Sequence, residues 1–155
     1  MDSDDMLQAI HTAYGLDCTR LEAAVYGYAA HSLTSTSQST NGLWSFVSSP
    51  DRSVGFWYPM SAQAFNVLVT SNGYKRNGMC AADFGAAVTL TALNHLAWFT
   101  NDRLQERVER GEEPDPEELT EPGRLSDQYH RLRAWVLELA EAGHLSPDDI
   151  AGFID

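Results

Sequence analysis

The chain has only two cysteines and no long apolar run. These two absences argue against a disulfide-linked protein and against a membrane-spanning one. Its two cysteines, Cys18 and Cys80, lie far apart and outside any CxxC pair, which favours two ordinary thiols over a disulfide or metal site. No apolar run reaches the roughly 18 residues that a membrane-spanning helix needs. The acidic start, residues 1–5, differs from a secretory signal, which begins with basic residues, so we expect a cytoplasmic protein without a membrane partner.

Basic residues are also scarce. Ten Lys and Arg stand against 22 Asp and Glu, and the formal net charge is −12. Such a chain is repelled by nucleic acid at long range, which disfavours direct binding to DNA or RNA. Between residues 23 and 100 the only acids are Asp51 and Asp83, and the densest acidic run is 102–121. This charge either keeps the protein soluble or docks it on a basic protein surface, partly by imitating DNA.

The chain lacks the common signatures of catalysis and nucleotide binding, namely HExxH, GxSxG, GxxxxGK[ST] and GxGxxG. None of its five histidines has a second His or a Cys at metal-ligand spacing. We therefore expect no enzymatic activity, no cofactor and no metal. Asn94 and His95 are either an oriented catalytic pair or polar core residues, and the missing nucleophile and carboxylate favour the core. Cys80 and Asp83 are better explained as the start of a helix than as a reactive thiol site.

Apolar spacing and turn residues predict an α+β fold in a single domain. Helices are predicted at 6–14, from a Thr19–Glu22 capping box, at 81–101, between Ser126 and Gly143, and from Ser146 onward; strands are predicted at 43–47, 54–58 and 65–70, with a fourth strand or a loop at 74–76. We expect a small antiparallel sheet of three to four strands on a central helix, 81–101, that is apolar on all sides and therefore buried. N- and C-terminal helices flank both. The Ser/Thr-rich residues 32–41 predict a loop. An acidic exposed linker is expected at about 102–123; within it, residues 101–110 either continue the central helix as an exposed extension or belong to the linker, and residues 111–116 break any helix.

Aromatic residues are concentrated in the predicted hairpin. They are Trp44, Phe46, Phe56, Trp57 and Tyr58. One interpretation is a stacking platform for single-stranded nucleic acid, but few basic residues accompany them. Since strand residues alternate faces, at least half of these rings are expected in the core.

A series of short motifs follows one another along the chain. They are residues 41–46 (NGLWSF), 55–59 (GFWYP), 72–74 (NGY), 81–85 (AADFG), 91–98 (TALNHLAW), 129–133 (YHRLR) and the final pair Ile154-Asp155. Taken in this order, from about residue 21 to the C-terminus, they resemble the ArdB/KlcA antirestriction proteins. The chain departs from that pattern at Cys80, where the family usually has Ser, in the hairpin link 48–53, and in its longer acidic segment 102–121.

The resemblance implies an inhibitor of host type I restriction–modification enzymes, carried by plasmids, phages or other mobile elements to protect incoming DNA. Its implied partner is the host restriction–modification complex or a protein associated with it; the oligomeric state is not predicted. The candidate signature or interaction positions are Trp44, Tyr58, Asn72, Gly73, Asp83, Asn94 and His95. The alternative is an acidic protein-binding module with partial DNA mimicry that acts on another DNA-processing target.

Overall fold

The helices and strands follow one another in a mixed order, in a computed structural model that describes residues 3–34, 43–60 and 63–155. They are α1 (Ser3–Tyr14), a 3-10 turn (Gly15–Asp17), α2 (Cys18–Ser32), β1 (Trp44–Ser48), β2 (Gly55–Pro59), β3 (Phe65–Leu68), β4 (Lys75–Met79), α3 (Ala81–Glu109), α4 (Pro116–Glu141) and α5 (Pro147–Ile154). The mixed helix and strand class is confirmed. Most of the Ser/Thr-rich run at 32–41 lies outside the described residues.

The strands form two antiparallel sheets of two strands each, β1–β2 and β3–β4, instead of the single sheet expected from the sequence. The predicted hairpin is confirmed, with Phe46 opposite Trp57. The ambiguous segment after Gly73 forms β4, so the fourth strand exists. The second edge of β3 meets Leu33, at the end of α2, in an isolated bridge to Val67. β3 therefore pairs with β4 on one edge and with Leu33 on the other, and it does not pair with the β1–β2 hairpin.

The N-terminal helices differ from the prediction at their junction. The first helix ends as expected before Gly15, whose φ of 53° suits glycine. The capping box predicted at Thr19 is wrong, because α2 begins at Cys18 directly after the 3-10 turn. Asp17 precedes α2 without capping it, since both of its carboxylate oxygens accept hydrogen bonds from the Arg124 guanidinium at 2.8 and 3.0 Å.

Helix α3 is central, packing against α2, α4, α5 and β2. Its first half comes very close to β2 at Gly85, where a Cβ would collide with the backbone of Trp57 and Tyr58. The prediction that α3 is buried on all sides is correct for this half only. Further along, Trp98 and Phe99 are 64% and 53% exposed.

The acidic segment 102–123 is helical at both ends, so a linker over the whole segment is wrong, whereas the helical extension to about residue 110 is confirmed. Residues 102–109 are the last turns of α3, residues 116–123 are the first turns of α4, and only 110–115 connect them. Asp115 caps α4 by accepting the backbone N–H of Glu118 at 2.9 Å, and Pro116 occupies the first turn. Ser126, the predicted cap, therefore lies inside α4. The two helices form an antiparallel helical hairpin, the α3–α4 hairpin.

The core collects the aromatic residues of the β-hairpin. Phe46, Phe56 and Trp57 are almost completely buried, as expected for core residues rather than a stacking platform. The Trp57 ring stacks on Tyr14 with ring centres 5.7 Å apart, which joins the hairpin to α1. None of the helices in the described ranges has the length and apolar character needed to cross a membrane.

Candidate functional site

The seven candidate positions do not converge on a single site. Trp44, Tyr58 and Asp83 pack in or against the core, Asn72 and Gly73 form a turn, and Asn94 and His95 lie on the second half of α3. Each group has a different chemical environment. The structural roles of the first two groups leave the third as the candidate for contacts with a partner.

The turn at Asn72 and Gly73 holds the C-terminal helix. The Asn72 side-chain amide donates to the carbonyl of Gly152 at 3.0 Å, while its oxygen accepts the backbone N–H of Tyr74 at 2.9 Å. Gly73 has a φ of 74°, in the left-handed region that favours glycine. These contacts give the Asn-Gly pair a structural role.

Tyr74 and Arg76 complete this attachment through Asp149 of α5. The Tyr74 hydroxyl donates to Asp149 Oδ1 at 2.8 Å, and Arg76 Nε donates to the same oxygen at 3.0 Å. Burial, followed by the Asp149 carboxylate, raises the pKa of Tyr74 to about 12. Gly152 lets the Tyr74 ring lie directly on α5. We call Asn72, Tyr74, Arg76, Asp149 and Gly152 the C-terminal clasp.

Asp83 contacts α5 at its N-terminal end, opposite the end that Asn72 contacts. Its Oδ1 accepts the backbone N–H of Ser146, the cap of α5, at 2.8 Å. Its Oδ2 accepts a hydrogen bond from the Cys80 thiol at 3.0 Å. Burial, together with this carboxylate, raises the pKa of Cys80, so the thiol stays protonated and is not an activated nucleophile. The predicted helix start at Cys80 and Asp83 is confirmed, and Asp83 also links α3 to α5.

Trp44 and Tyr58 are half-buried residues of the β-hairpin. The Trp44 ring packs edge-on against Tyr26, with centres 5.3 Å apart, and tilted against Phe84, at 6.5 Å. Tyr58 lies where β2 approaches Gly85. Both residues therefore help to position α3.

His95 is exposed and does not belong to the core, so the interpretation as a buried polar residue is wrong. Its Nδ1 lies 2.7 Å from the Tyr28 hydroxyl, and the two rings meet edge to face at 4.8 Å. This pair joins α3 to α2 at the surface. Within the described ranges, no group of three or more His, Cys, Asp or Glu is arranged to hold a metal ion.

Asn94 lies at one end of a surface groove between α3 and α4. The groove encloses about 460 Å³ and is lined by Asn94, Ala97, Trp98 and Asn101 of α3 and by Pro122, Gly123, Ser126, Tyr129 and His130 of α4. None of these residues is Asp, Glu, Lys or Arg. The rings of Tyr129 and His130 lie 5.3 Å apart. We call this feature the α3–α4 groove.

A second cleft, which we call the arginine cleft, has different chemistry. It encloses about 410 Å³ and is lined by Arg20, Phe99, Thr100, Arg103, Leu104, Arg107, Glu118 and Glu121. Its charges are largely paired within the protein: Arg20 with Glu121, and Arg107 with Glu118. The adjacent residues Trp98 and Phe99 therefore line two different depressions.

Comparison with family models identifies the chain. A model described as antirestriction protein matches residues 37–147, which is most of the chain. The chain belongs to the antirestriction protein family. The family match supports inhibition of restriction enzymes and interaction with restriction–modification enzymes. No curated protein and no solved structure matches the chain.

The range matched by the antirestriction family contains both walls of the α3–α4 groove. Three residues of its walls, Trp98, Tyr129 and His130, belong to the motifs 91–98 and 129–133 but were not among the predicted candidates. Sequence reasoning missed Trp98 because an uncharged helix segment predicts burial. The available signal was their membership in two motifs that the antiparallel helices bring together.

Proposed function

We propose that this antirestriction protein inhibits type I restriction–modification enzymes in the bacterial cytoplasm and thereby protects the unmodified DNA of an incoming mobile element. The observation that carries the proposal is the antirestriction match over residues 37–147, together with the ordered ArdB/KlcA-like motifs inside it. The proposed partner is the host restriction–modification complex or a protein associated with it.

The surface chemistry supports a protein partner. With a net charge of −12, the molecule repels a phosphate backbone. The α3–α4 groove has no charged lining and contains the exposed Trp98. Depletion of charge with enrichment of Trp and Tyr is typical of the centre of a protein interface rather than of a nucleic-acid surface.

Phage plating tests the proposal. Unmodified phage is plated on isogenic hosts with a type I system, a type II system or no restriction system, each with and without the protein. We expect the efficiency of plating to rise on the type I host only. No rise on that host, with soluble protein confirmed by immunoblot, contradicts the proposal; a rise on both restricting hosts contradicts the type I specificity alone.

The alternative of DNA mimicry makes a different prediction for the α3–α4 hairpin. In the described chain, Asp102, Glu106, Glu109 and Glu113 are exposed acids without an ion pair, so they are among the charges free to imitate phosphates. Replacing all four with Asn or Gln neutralises them with little change of shape. We expect unchanged relief of restriction. Loss of relief in the folded variant favours mimicry instead.

A further inference from the structure

Resting on the proposed function, we propose that the α3–α4 groove binds an extended, uncharged peptide segment of the restriction–modification complex. The groove is lined by polar side chains and by aromatic rings, of which Trp98 is exposed and Tyr129 packs partly against the core. Within the described residues, the side chains of Asn94, Asn101 and Ser126 have no hydrogen-bond partner. An Asn amide offers two N–H donors and a carbonyl acceptor, which are the complements of a peptide backbone.

The spacing of the two asparagines suits an extended chain. Asn94 and Asn101 are seven residues apart on one helix, so they share a face and lie about 10.5 Å apart along its axis. An extended peptide rises about 3.3 Å per residue, so this distance corresponds to about three residues. The side-chain amides of Asn94 and Asn101 therefore each hydrogen-bond to a peptide unit of the same bound segment. The groove thus recognises the main chain of that segment.

Trp98 lies between these two asparagines and supplies the apolar contact. It is 64% exposed, although it belongs to a helix whose first half is almost entirely buried. Across the groove stand the rings of Tyr129 and His130. Trp and Tyr side chains are enriched among the hot spots of binding energy; here Trp98 is exposed and Tyr129 is partly buried. Trp98 and Tyr129 therefore form a slot for one side chain of the bound segment.

The groove lining has no acidic or basic residue, whereas acids lie just beyond it. Both features restrict which peptide segments can bind. A charged side chain or a phosphate buried here would find no opposite charge, and an unpaired buried charge costs free energy. The next turn of α3 carries the exposed acids Asp102 and Glu106, neither of them in an ion pair within the described chain. The segment that fits is neutral inside the groove and is followed by lysine or arginine where it passes these acids.

Two neighbouring substitutions test the proposal in cells. Trp98→Ala removes the centre of the groove, and Phe99→Ala, the matched control, removes a ring of similar exposure that lines the arginine cleft. We expect Trp98→Ala to lose most of the relief of restriction on the type I host, and Phe99→Ala to keep it. Thermal unfolding of both purified variants checks that they are folded. Full relief by folded Trp98→Ala overturns the proposal.

Binding to the purified type I complex gives the magnitude. Trp98→Ala is expected to weaken binding about 30-fold, the loss of a hot spot of about 2 kcal/mol. The double variant Asn94→Ala/Asn101→Ala is expected to weaken it about tenfold, as two peptide hydrogen bonds are lost. Equal affinities for the wild type and both groove variants overturn the inference, as does a larger loss with Phe99→Ala.

Photo-cross-linking identifies the occupant. A photoreactive phenylalanine at position 98 is irradiated with the purified type I complex and DNA, with the same residue at position 99 as control. A cross-link from position 98 to an uncharged segment of a subunit, followed by basic residues, supports the proposal. Cross-linking to DNA, to a charged segment, or to nothing overturns it. These results are separate from the proposed function, which fails only if the wild-type protein gives no relief of restriction.

Discussion

The two halves of α3 use one continuous helix in opposite ways. The first half, residues 81–93, is almost entirely buried, and its motif residues Asp83 and Gly85 are explained by contacts within the fold. The second half, residues 94–109, carries the exposed Trp98 and most of the polar and charged residues of the helix. A family signature can thus contain scaffold residues in one turn and, a few turns later, residues of the surface proposed to bind a partner. The difference is set by what lies opposite the helix.

Among the substitutions that test this comparison, Gly85→Ala in the buried half of α3 is expected to have the largest effect on stability. A Cβ at this position meets the backbone of Trp57 and Tyr58, which cannot rotate away as a side chain can. We expect the free energy of unfolding to fall by about 3 kcal/mol, as in strongly overpacked cores. Urea unfolding followed by circular dichroism measures this change.

Gly27 of α2 provides the matched control for that substitution. It is also a helical glycine, but a Cβ there meets nothing within 4 Å. Gly27→Ala is therefore expected to stabilise the protein by about 0.5–1 kcal/mol, because alanine is the better helix former. If Gly85→Ala behaves like Gly27→Ala, the close approach of α3 to β2 is wrong.

A smaller loss is expected from Asp83→Ala. The substitution removes the acceptor of the Ser146 N–H and leaves a partly buried donor without a partner. A loss of about 2 kcal/mol is expected in urea unfolding, within the range for a deleted hydrogen bond to a charged group. Asp102→Ala, on the exposed half of the same helix, is expected to change stability by less than about 0.5 kcal/mol. Equal losses of stability from Asp83→Ala and Asp102→Ala would contradict the difference between the two halves of α3.

The smallest effect is expected in the α3–α4 hairpin, from Asp115→Ala. The loss of the cap costs about 1 kcal/mol and frays the first turn of α4, so the Glu118 amide should exchange hydrogen faster. That hydrogen bond also lowers the pKa of Asp115 from its ordinary value of 3.8. The contribution of the cap is therefore present above pH 3.8 and is lost as the pH falls through the lowered pKa. Glu113→Ala, an exposed neighbour, should change neither amide exchange nor its pH dependence.

Elements with local signals were predictable from the sequence. Gly15 ends α1, the turn residues 48–53 connect the β-hairpin, and Ser146 followed by Pro147 starts α5. In each case neighbouring residues supply the capping group or backbone geometry. The same signal at Asp115 and Pro116 was overlooked, because two prolines among acids also predict a linker.

Features that depend on distant contacts were not predictable. Asp17 is occupied by Arg124, more than 100 residues away, and this prevents it from capping α2. In the two-sheet arrangement, the edge of β3 that does not face β4 is occupied by Leu33, 34 residues away from its partner Val67. The exposure of Trp98 depends on which elements pack beside the second half of α3. Periodicity describes a helix by itself and says nothing about its neighbours.

The candidate site was predicted in part. Asn94 was selected and lines the α3–α4 groove, whereas the opposite wall, Tyr129 and His130, is 35 residues or more away in sequence and was recognised only as a motif. The antiparallel return of α4 brings the two motifs together. The connection between the two helices lies within the segment 102–123. Because this segment was interpreted as a linker, the α3–α4 groove was not predicted.

The C-terminal clasp has a consequence for the order of folding. The bond from Asn72 to Gly152 joins residues 80 apart, and the bond from Tyr74 to Asp149 joins residues 75 apart. Closing such long loops costs more chain entropy than forming helices or the β-hairpin. During synthesis, moreover, α5 emerges from the ribosome after every element that it secures. We therefore expect α5 to dock after the helices and the β-hairpin that it secures have formed.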